Sequence, residues 1–199
     1  MFRPALVLSA AVLLIASTVP AFAADTGLPP PEDDPVLLQL SLFPPVQLVE
    51  SRRAVAGFRL GVVPVNSEMT GLDIGAVTWT TGELTALQFG LVNVVEGEAV
   101  GVQFGWANIV AGRGVGWQSA PLNITGDGYI GFQQGLVNVN AGRPSVGLQL
   151  GAVNYAHKFN GLMIGLVNIT PRLGGLQIGI VNYAGNSALP VLPIANAVF

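Results

Sequence analysis

Glutamine and asparagine are the polar side chains that recur at fixed spacing in this chain. They belong to a nine-residue phrase, G-Φ-Q-Φ-G-Φ-Φ-N-Φ, in which Φ is apolar, glutamine takes position 3 and asparagine takes position 8. A carboxamide donates and accepts hydrogen bonds but does not titrate. The chemistry available at these positions is therefore hydrogen bonding, either to a ligand or between copies of the phrase.

The titratable residues form no catalytic constellation in the sequence. His157 is the only histidine and stands beside Lys158 in a predicted turn, where a solvated side chain is expected. Glu96 and Glu98 flank a glycine in another turn, without the apolar surroundings that would separate the pKa values of a carboxylate pair. The glycine-rich run 112–116 lacks the lysine and serine of a phosphate-binding loop. We predict no enzymatic activity, no cofactor and no metal site.

Composition narrows the class of protein. The chain has 199 residues, of which 51% are hydrophobic and 10% are charged, against about 25% charged residues in ordinary soluble domains. It has 26 glycines and no cysteine, so disulfides and thiolate metal sites are excluded. The formal net charge of −3 comes from few ions of both signs. We therefore expect no nucleic-acid partner.

The N-terminal segment 1–23 has the features of an export signal. Arg3 supplies the charged start, residues 5–18 the apolar run, and residues 21–23 a small-x-small cleavage site. The apolar run is shorter than the ~20 residues of a membrane span. We predict cleavage after Ala23 and a mature protein in the outer membrane, at the cell surface or in the periplasm.

The rest of the chain divides into four predicted segments. Residues 24–35 are an acidic, proline-rich leader that cannot bury enough apolar surface to fold. Residues 36–56 are an N-terminal strand and cap, in which Pro44 and Pro45 stop the strand. Residues 57–186 hold nine repeats, and residues 187–199 form a C-terminal cap.

The nine repeats follow one another at nearly constant spacing. They begin at Gly57, Gly71, Ala86, Gly101, Gly116, Gly131, Gly147, Gly161 and Gly175. Position 3 holds six glutamines: Gln88, Gln103, Gln118, Gln133, Gln149 and Gln177. Position 8 holds seven consecutive asparagines: Asn93, Asn108, Asn123, Asn138, Asn154, Asn168 and Asn182. Turn-forming residues and nearly all charges lie between the phrases, so each repeat is a strand and a polar turn.

This period predicts an all-β protein, a β-solenoid of about nine coils of 14 to 16 residues. Coils stacked at about 4.8 Å bring equivalent side chains together, and amides stack well because each bonds the next. We therefore interpret the glutamines and asparagines as structural ladders, with glycines at positions 1 and 5 permitting tight corners. Two departures, Met163 at position 3 and the pair Ser119 and Ala120, predict local irregularity.

The alternative is an antiparallel outer-membrane β-barrel, acting as a small barrel or pore. The apolar composition, the export signal and the terminal Phe199 favour it. In a straight strand, moreover, positions 2, 4 and 6 face one way and positions 7 and 9 the other, so both faces would be apolar. A coil avoids this by bending near its second glycine. The uniform length of the links favours the solenoid, since membrane barrels alternate short turns with longer loops.

Several phrases resemble the bacterial surface-repeat proteins first noted in spirochaetes. The similar segments are GLDIG (71–75), GWQS (116–119), GLQLGAVNYA (147–156), GLMIGLVN (161–168), GLQIGIVNYA (175–184), the lead-in LQLSLFPPVQL (38–48) and the closing LPVLPIAN (189–196). The resemblance covers nearly all of the predicted mature chain. It implies an exported repeat protein, associated with the cell surface or outer membrane, and it implies no particular molecular activity. From the repeats and the absence of a catalytic constellation, we expect a structural or interaction role.

The partner expectations are correspondingly broad. We expect an envelope or surface partner, whose identity the sequence does not contain, and association with a membrane. An uncovered solenoid end would also template the stacking of a second molecule, so self-association is a further expectation.

Overall fold

The computed structural model describes residues 34–199, which consist of strands and turns. The predicted signal peptide and residues 24–33 of the predicted leader lie outside the described residues. In the part of the chain that is described, no helix is long and apolar enough to cross a bilayer.

Sixteen strands are present within residues 34–199. They are β1 (Val36–Phe43), β2 (Val46–Gln47), β3 (Val55–Gly61), β4 (Val65–Asn66), β5 (Met69–Thr80), β6 (Leu84–Val95), β7 (Ala99–Phe104), β8 (Ala107–Val110), β9 (Gly114–Ser119), β10 (Leu122–Thr125), β11 (Tyr129–Gln134), β12 (Val137–Asn140), β13 (Ser145–Ala156), β14 (Phe159–Thr170), β15 (Leu173–Ala184) and β16 (Val191–Val198).

Successive repeats pair in parallel, with equivalent positions opposite one another. Gln133 of β11 lies opposite Gln149 of β13, and Asn138 of β12 lies opposite Asn154 of the same strand β13. The chain is a β-solenoid of about ten turns. The predicted solenoid is confirmed, and the antiparallel alternative is wrong because neighbouring repeats run in the same direction.

Each coil has two faces joined at a corner. Positions 1–4 form the first face, positions 7–10 the second, and positions 5 and 6 the corner. In β5, β6, β13, β14 and β15 one strand of 12 residues runs through both faces. In three middle coils it is interrupted at the corner, between β7 and β8, β9 and β10, and β11 and β12. The strand is also interrupted in the first repeat, between β3 and β4, so a break at the corner is not specific to Ser119 and Ala120.

Glycines at positions 1 and 5 allow the coils to approach closely. Gly131, at position 1, has a φ of 131°, and a Cβ there would overlap the carbonyl oxygen of Gly116 in the preceding coil. Gly151, at position 5, has ordinary backbone angles, but a Cβ would come within 2.9 Å of the Asn154 Oδ1 atom. Position 1 therefore favours glycine for its conformation, and position 5 favours it because it leaves room for the asparagine. Ala86 and Ala120 are the exceptions at these two positions.

The two ends of the solenoid are built differently from its middle. At the N-terminal end β1 adds a coil that the repeat pattern did not predict, with Gln39 opposite Arg59 of β3. The link between them contains a cis peptide bond between Pro44 and Pro45 and the short antiparallel strand β2. At the other end β16 lies antiparallel to β15, so the tail covers the last coil.

Candidate functional site

The seven predicted asparagines form one buried column through the second face. In each successive pair, the Nδ2 atom of one asparagine donates to the Oδ1 atom of the asparagine in the next coil, at 2.7–2.9 Å. All seven residues have no exposed surface. The Thr78 hydroxyl starts the column by donating to Asn93 Oδ1 at 2.7 Å, and Asn182 ends it by donating to the Leu192 carbonyl of β16 at 3.2 Å.

Most of the asparagines also close the corner of the neighbouring coil; Asn108 instead donates to the Gln103 carbonyl of its own coil. The same Nδ2 group of Asn138 donates to the Leu150 carbonyl at 2.9 Å, and that of Asn154 donates to the Ile164 carbonyl at 3.0 Å. Both carbonyls belong to position 4 of the following coil, just before the corner. One carboxamide thus satisfies its neighbour's side chain and the neighbouring corner, and a smaller or apolar residue would leave both groups unpaired.

The glutamines form a second column in the first face, and its hydrogen bonds run the opposite way. Each Nε2 atom donates to the Oε1 atom of the preceding coil, at 2.7 Å for Gln103, Gln118 and Gln133 and at 2.9 Å for Gln149. The dipoles of the two columns therefore oppose one another. Inside this narrow solenoid, opposed columns avoid the accumulation of one sign of partial charge at one end.

Met163 interrupts the glutamine column. It lies opposite Gln149 on one side and Gln177 on the other, so Gln177 contacts no other glutamine. The Gln177 Nε2 atom lies 3.5 Å from the Met163 sulfur, and the Oε1 atoms of Gln149 and Gln177 are buried without a hydrogen-bond partner. Because each glutamine donates to the coil before it, the cost of this substitution falls on Gln149 Oε1, whereas, among the described residues, Gln177 Oε1 lacks a donor from the strand that follows it, β16.

A buried ion pair starts the glutamine column. Gln88 donates to Asp73 Oδ2 at 2.8 Å, and Arg59 donates to both oxygens of Asp73, from Nε at 2.8 Å and from Nη2 at 2.7 Å. Arg59 and Asp73 have no exposed surface. The Asp73 carboxylate can only accept hydrogen bonds, so it fits at the end of a column whose amide donors point toward it. The bidentate hydrogen bonds from Arg59 compensate its charge. The Trp79 carbonyl and the Thr80 hydroxyl accept the remaining Arg59 bonds.

The residues weighed for catalysis are separated by the fold. His157 is exposed in its turn. Glu96 accepts a hydrogen bond from the Trp79 indole at 2.9 Å, whereas Glu98 lies 3.5 Å from Arg143, so these two carboxylates have different partners. In the run 112–116, the amides of Gly112 and Gly114 donate to carbonyls of adjacent coils. Among residues 34–199, no group of three or more acidic or histidine side chains is arranged to hold a metal ion.

The outward side chains of the repeats are apolar. Positions 2, 4, 6, 7 and 9 carry no charged residue in any of the nine repeats, and only Ser119 and Gln134 have polar aliphatic side chains there. Within the repeat phrase, the polar amides thus face inward and most apolar groups face outward, the reverse of an ordinary globular core. Buried apolar residues such as Leu84 and Phe159 lie beside the turns. Sequence reasoning expected an exposed apolar edge but left open which positions of the repeat face outward.

Within the repeats, the most exposed large apolar residues lie along the corner. We call the row of position-6 residues the apolar edge: Val62, Ala76, Leu91, Trp106, Pro121, Leu136, Ala152, Leu166 and Ile180. Trp106 is 73% exposed and Ile180 67% exposed. Beside this edge, on the first face, four aromatic rings from successive coils pack in a row, with centroids 5.0–5.8 Å apart: Phe89, Phe104, Trp117 and Phe132.

The charged residues lie half a coil away from the apolar edge. Apart from the buried Arg59 and Asp73, the charged side chains of the repeats occupy the turns, and we call this row the charged edge: Glu68, Glu83, Glu96, Glu98, Arg113, Asp127, Arg143, Lys158 and Arg172. Arg143 donates to Asp127 at 2.7 Å, and this hydrogen bond lowers the pKa of the Asp127 carboxyl. The solenoid is therefore an amphipathic rod, apolar along one edge and charged along the other.

Comparison of the chain with protein-family models, with curated proteins and with solved structures finds no match. The function is therefore inferred from the geometry and surface chemistry of the solenoid itself.

The first prediction concerns the break in the glutamine column. Met163→Gln supplies a donor for Gln149 Oε1 and an acceptor for Gln177 Nε2, so we expect a gain of about 1 kcal/mol in the free energy of unfolding. Urea denaturation measures this change. The control, Met163→Leu, keeps an apolar side chain and leaves Gln149 Oε1 unpaired, so it should give no gain. A glutamine variant less stable than the leucine variant would show that the column is not the governing interaction.

The second prediction concerns the buried ion pair. Asp73→Gln leaves the Arg59 charge uncompensated in the interior, and we expect it to lower the free energy of unfolding by about 3–5 kcal/mol. The double variant Arg59→Gln/Asp73→Gln removes both charges and extends the glutamine column by two coils, so its stability should return to within about 1 kcal/mol of the wild type. Thermal or urea unfolding of both variants tests this, and equal losses in the two would contradict it.

Proposed function

We propose that this protein is an exported repeat protein of the cell envelope with a structural or interaction role and no catalytic activity. The observation that carries the proposal is the continuous apolar surface along the outside of the solenoid, opposite the charged edge. Exposed apolar patches larger than a few hundred Å² are uncommon on soluble monomers and mark interaction surfaces. Nine coils at about 4.8 Å make this one roughly 40 Å long.

The interior supports the same proposal. The glutamine and asparagine side chains, conspicuous in the sequence, hydrogen-bond mainly to one another and to the backbone of adjacent coils, so they serve the fold. What varies along the rod is its outer surface and its turns. The regular inward positions build a rigid rod, and the remaining positions form an amphipathic surface. A protein of this kind is suited to binding or covering another surface.

The envelope location rests on the sequence of residues 1–23 and on the resemblance to surface-repeat proteins. Fractionation of the cells that produce the protein, with mass spectrometry of its N-terminus, tests this part. We expect the protein in the envelope fraction with Ala24 as its first residue. Placing lysine at both Ala21 and Ala23 should block cleavage. An unprocessed wild-type chain beginning at Met1 in the cytoplasmic fraction would contradict the proposal.

A further inference from the structure

We propose that the apolar edge inserts into the surface layer of a lipid bilayer, so that the solenoid lies flat on the membrane with its charged edge in water. This inference rests on the proposed envelope role and names lipid as the partner of the outer surface.

The shape of the apolar surface distinguishes lipid from a protein partner. Apolar side chains occupy the outward positions of both faces and the corner that joins them, for example Leu87 and Phe89 on the first face, Leu91 at the corner and Val92 and Val94 on the second. This surface is convex, and the flat face of a second copy would cover one of its sides and leave the other in water. Fluid acyl chains can cover both sides and the edge together.

The distribution of charge is that of an interfacial amphipathic element. No charged residue occupies the apolar edge or the outward positions beside it, whereas the charged edge carries both signs. An amphipathic helix with this segregation lies in the plane of the interface, with its apolar side buried among the headgroups and upper acyl chains. Because the charged edge has no excess of cations, binding should not require anionic lipid.

The backbone at the apolar edge can enter an apolar layer without leaving peptide groups unpaired. Hydrogen bonds in a solenoid run between coils, along the rod. At the corner itself, the amide of Trp106 donates to the Leu91 carbonyl at 2.8 Å, and that of Leu136 donates to the Pro121 carbonyl at 2.9 Å. Unpaired backbone groups are what keep most irregular segments out of lipid, and this corner avoids that cost.

Both ends of the rod continue the apolar edge. At the N-terminal end, a shallow groove beside Val62 is lined by Leu42 and Leu48 of the first coil. At the C-terminal end, Ile180 lines a similar groove with Ile194. Ile194 is 78% exposed and has a φ of 70°, an unusual conformation for a β-branched residue. The backbone therefore holds this isoleucine in solvent at the end of the apolar row.

Phosphatidylcholine vesicles provide the test, with protein purified in the processed form that the producing cells contain. We expect the wild type to float with the vesicles. The variant Leu136→Lys/Leu166→Lys/Ile180→Lys places three charges on the apolar edge and should bind at least tenfold more weakly. The matched control, Thr81→Lys/Ala111→Lys/Ala141→Lys, places three charges at the charged edge and should bind as the wild type does. Circular dichroism checks that both variants are folded.

Tryptophan fluorescence gives a second readout that needs no charged variant. With Trp79 and Trp117 replaced by phenylalanine, the emission of Trp106 should shift to shorter wavelength on vesicles and be quenched by brominated lipid. Unchanged Trp106 emission at saturating lipid would overturn the inference. So would a stable dimer in solution that the apolar-edge lysines dissociate and that does not bind vesicles. Neither result depends on where the cell places the protein, so the envelope proposal is tested separately.

Discussion

The in-register parallel stacking of the coils is the constraint on which the rest of the structure depends. Each side chain meets its own equivalent above and below, so an inward position accepts only groups that satisfy one another in a column. Asparagine meets this demand twice, through its neighbour's amide and through the neighbouring corner carbonyl. The glycines follow from the same spacing, since a Cβ at Gly131 would strike the backbone of the coil before it.

Filling a narrow interior with amides has a consequence for the outside. A coil this short leaves little enclosed volume, and two columns of carboxamides occupy much of it. Small apolar clusters remain near the turns, such as Leu84 with Val95 at one end and Phe159 with Met163 at the other. The larger apolar residues are left on the surface, where they form the apolar edge and the two faces beside it. The amide columns therefore account both for the stacking of the coils and for the apolar surface that we propose binds lipid, because the apolar residues that they displace from the interior lie on the outside.

The repeat phrase predicts much of this fold because its period equals the number of residues in one coil. In addition, an amide column requires the same type of residue at the equivalent position of every coil. The sequence predicts the strand of the first coil but not its register with the repeats. The segment containing Pro44 and Pro45 lengthens the link, so Gln39 and Arg59 lie further apart in sequence than equivalent positions of later coils. The only sequence signal of this register was a glutamine between two leucines. Arg59 and Asp73 were visible as departures at position 3, but their pairing follows from the direction of the glutamine hydrogen bonds, which a sequence does not contain. The register was ambiguous because both halves of a repeat alternate, and only the bend at position 5 decides which residues point outward.

Hydrogen exchange of the side-chain amides, followed by NMR, tests most directly whether stacked amide columns hold the coils together. Gln133 and Gln134 are adjacent in β11, but Gln133 is buried in its column and Gln134 is exposed on the outer face. We predict that the Nε2 protons of Gln133 exchange orders of magnitude more slowly than those of Gln134, because exchange of the former requires the coils to separate. Equal exchange rates for the two glutamines would contradict this interpretation.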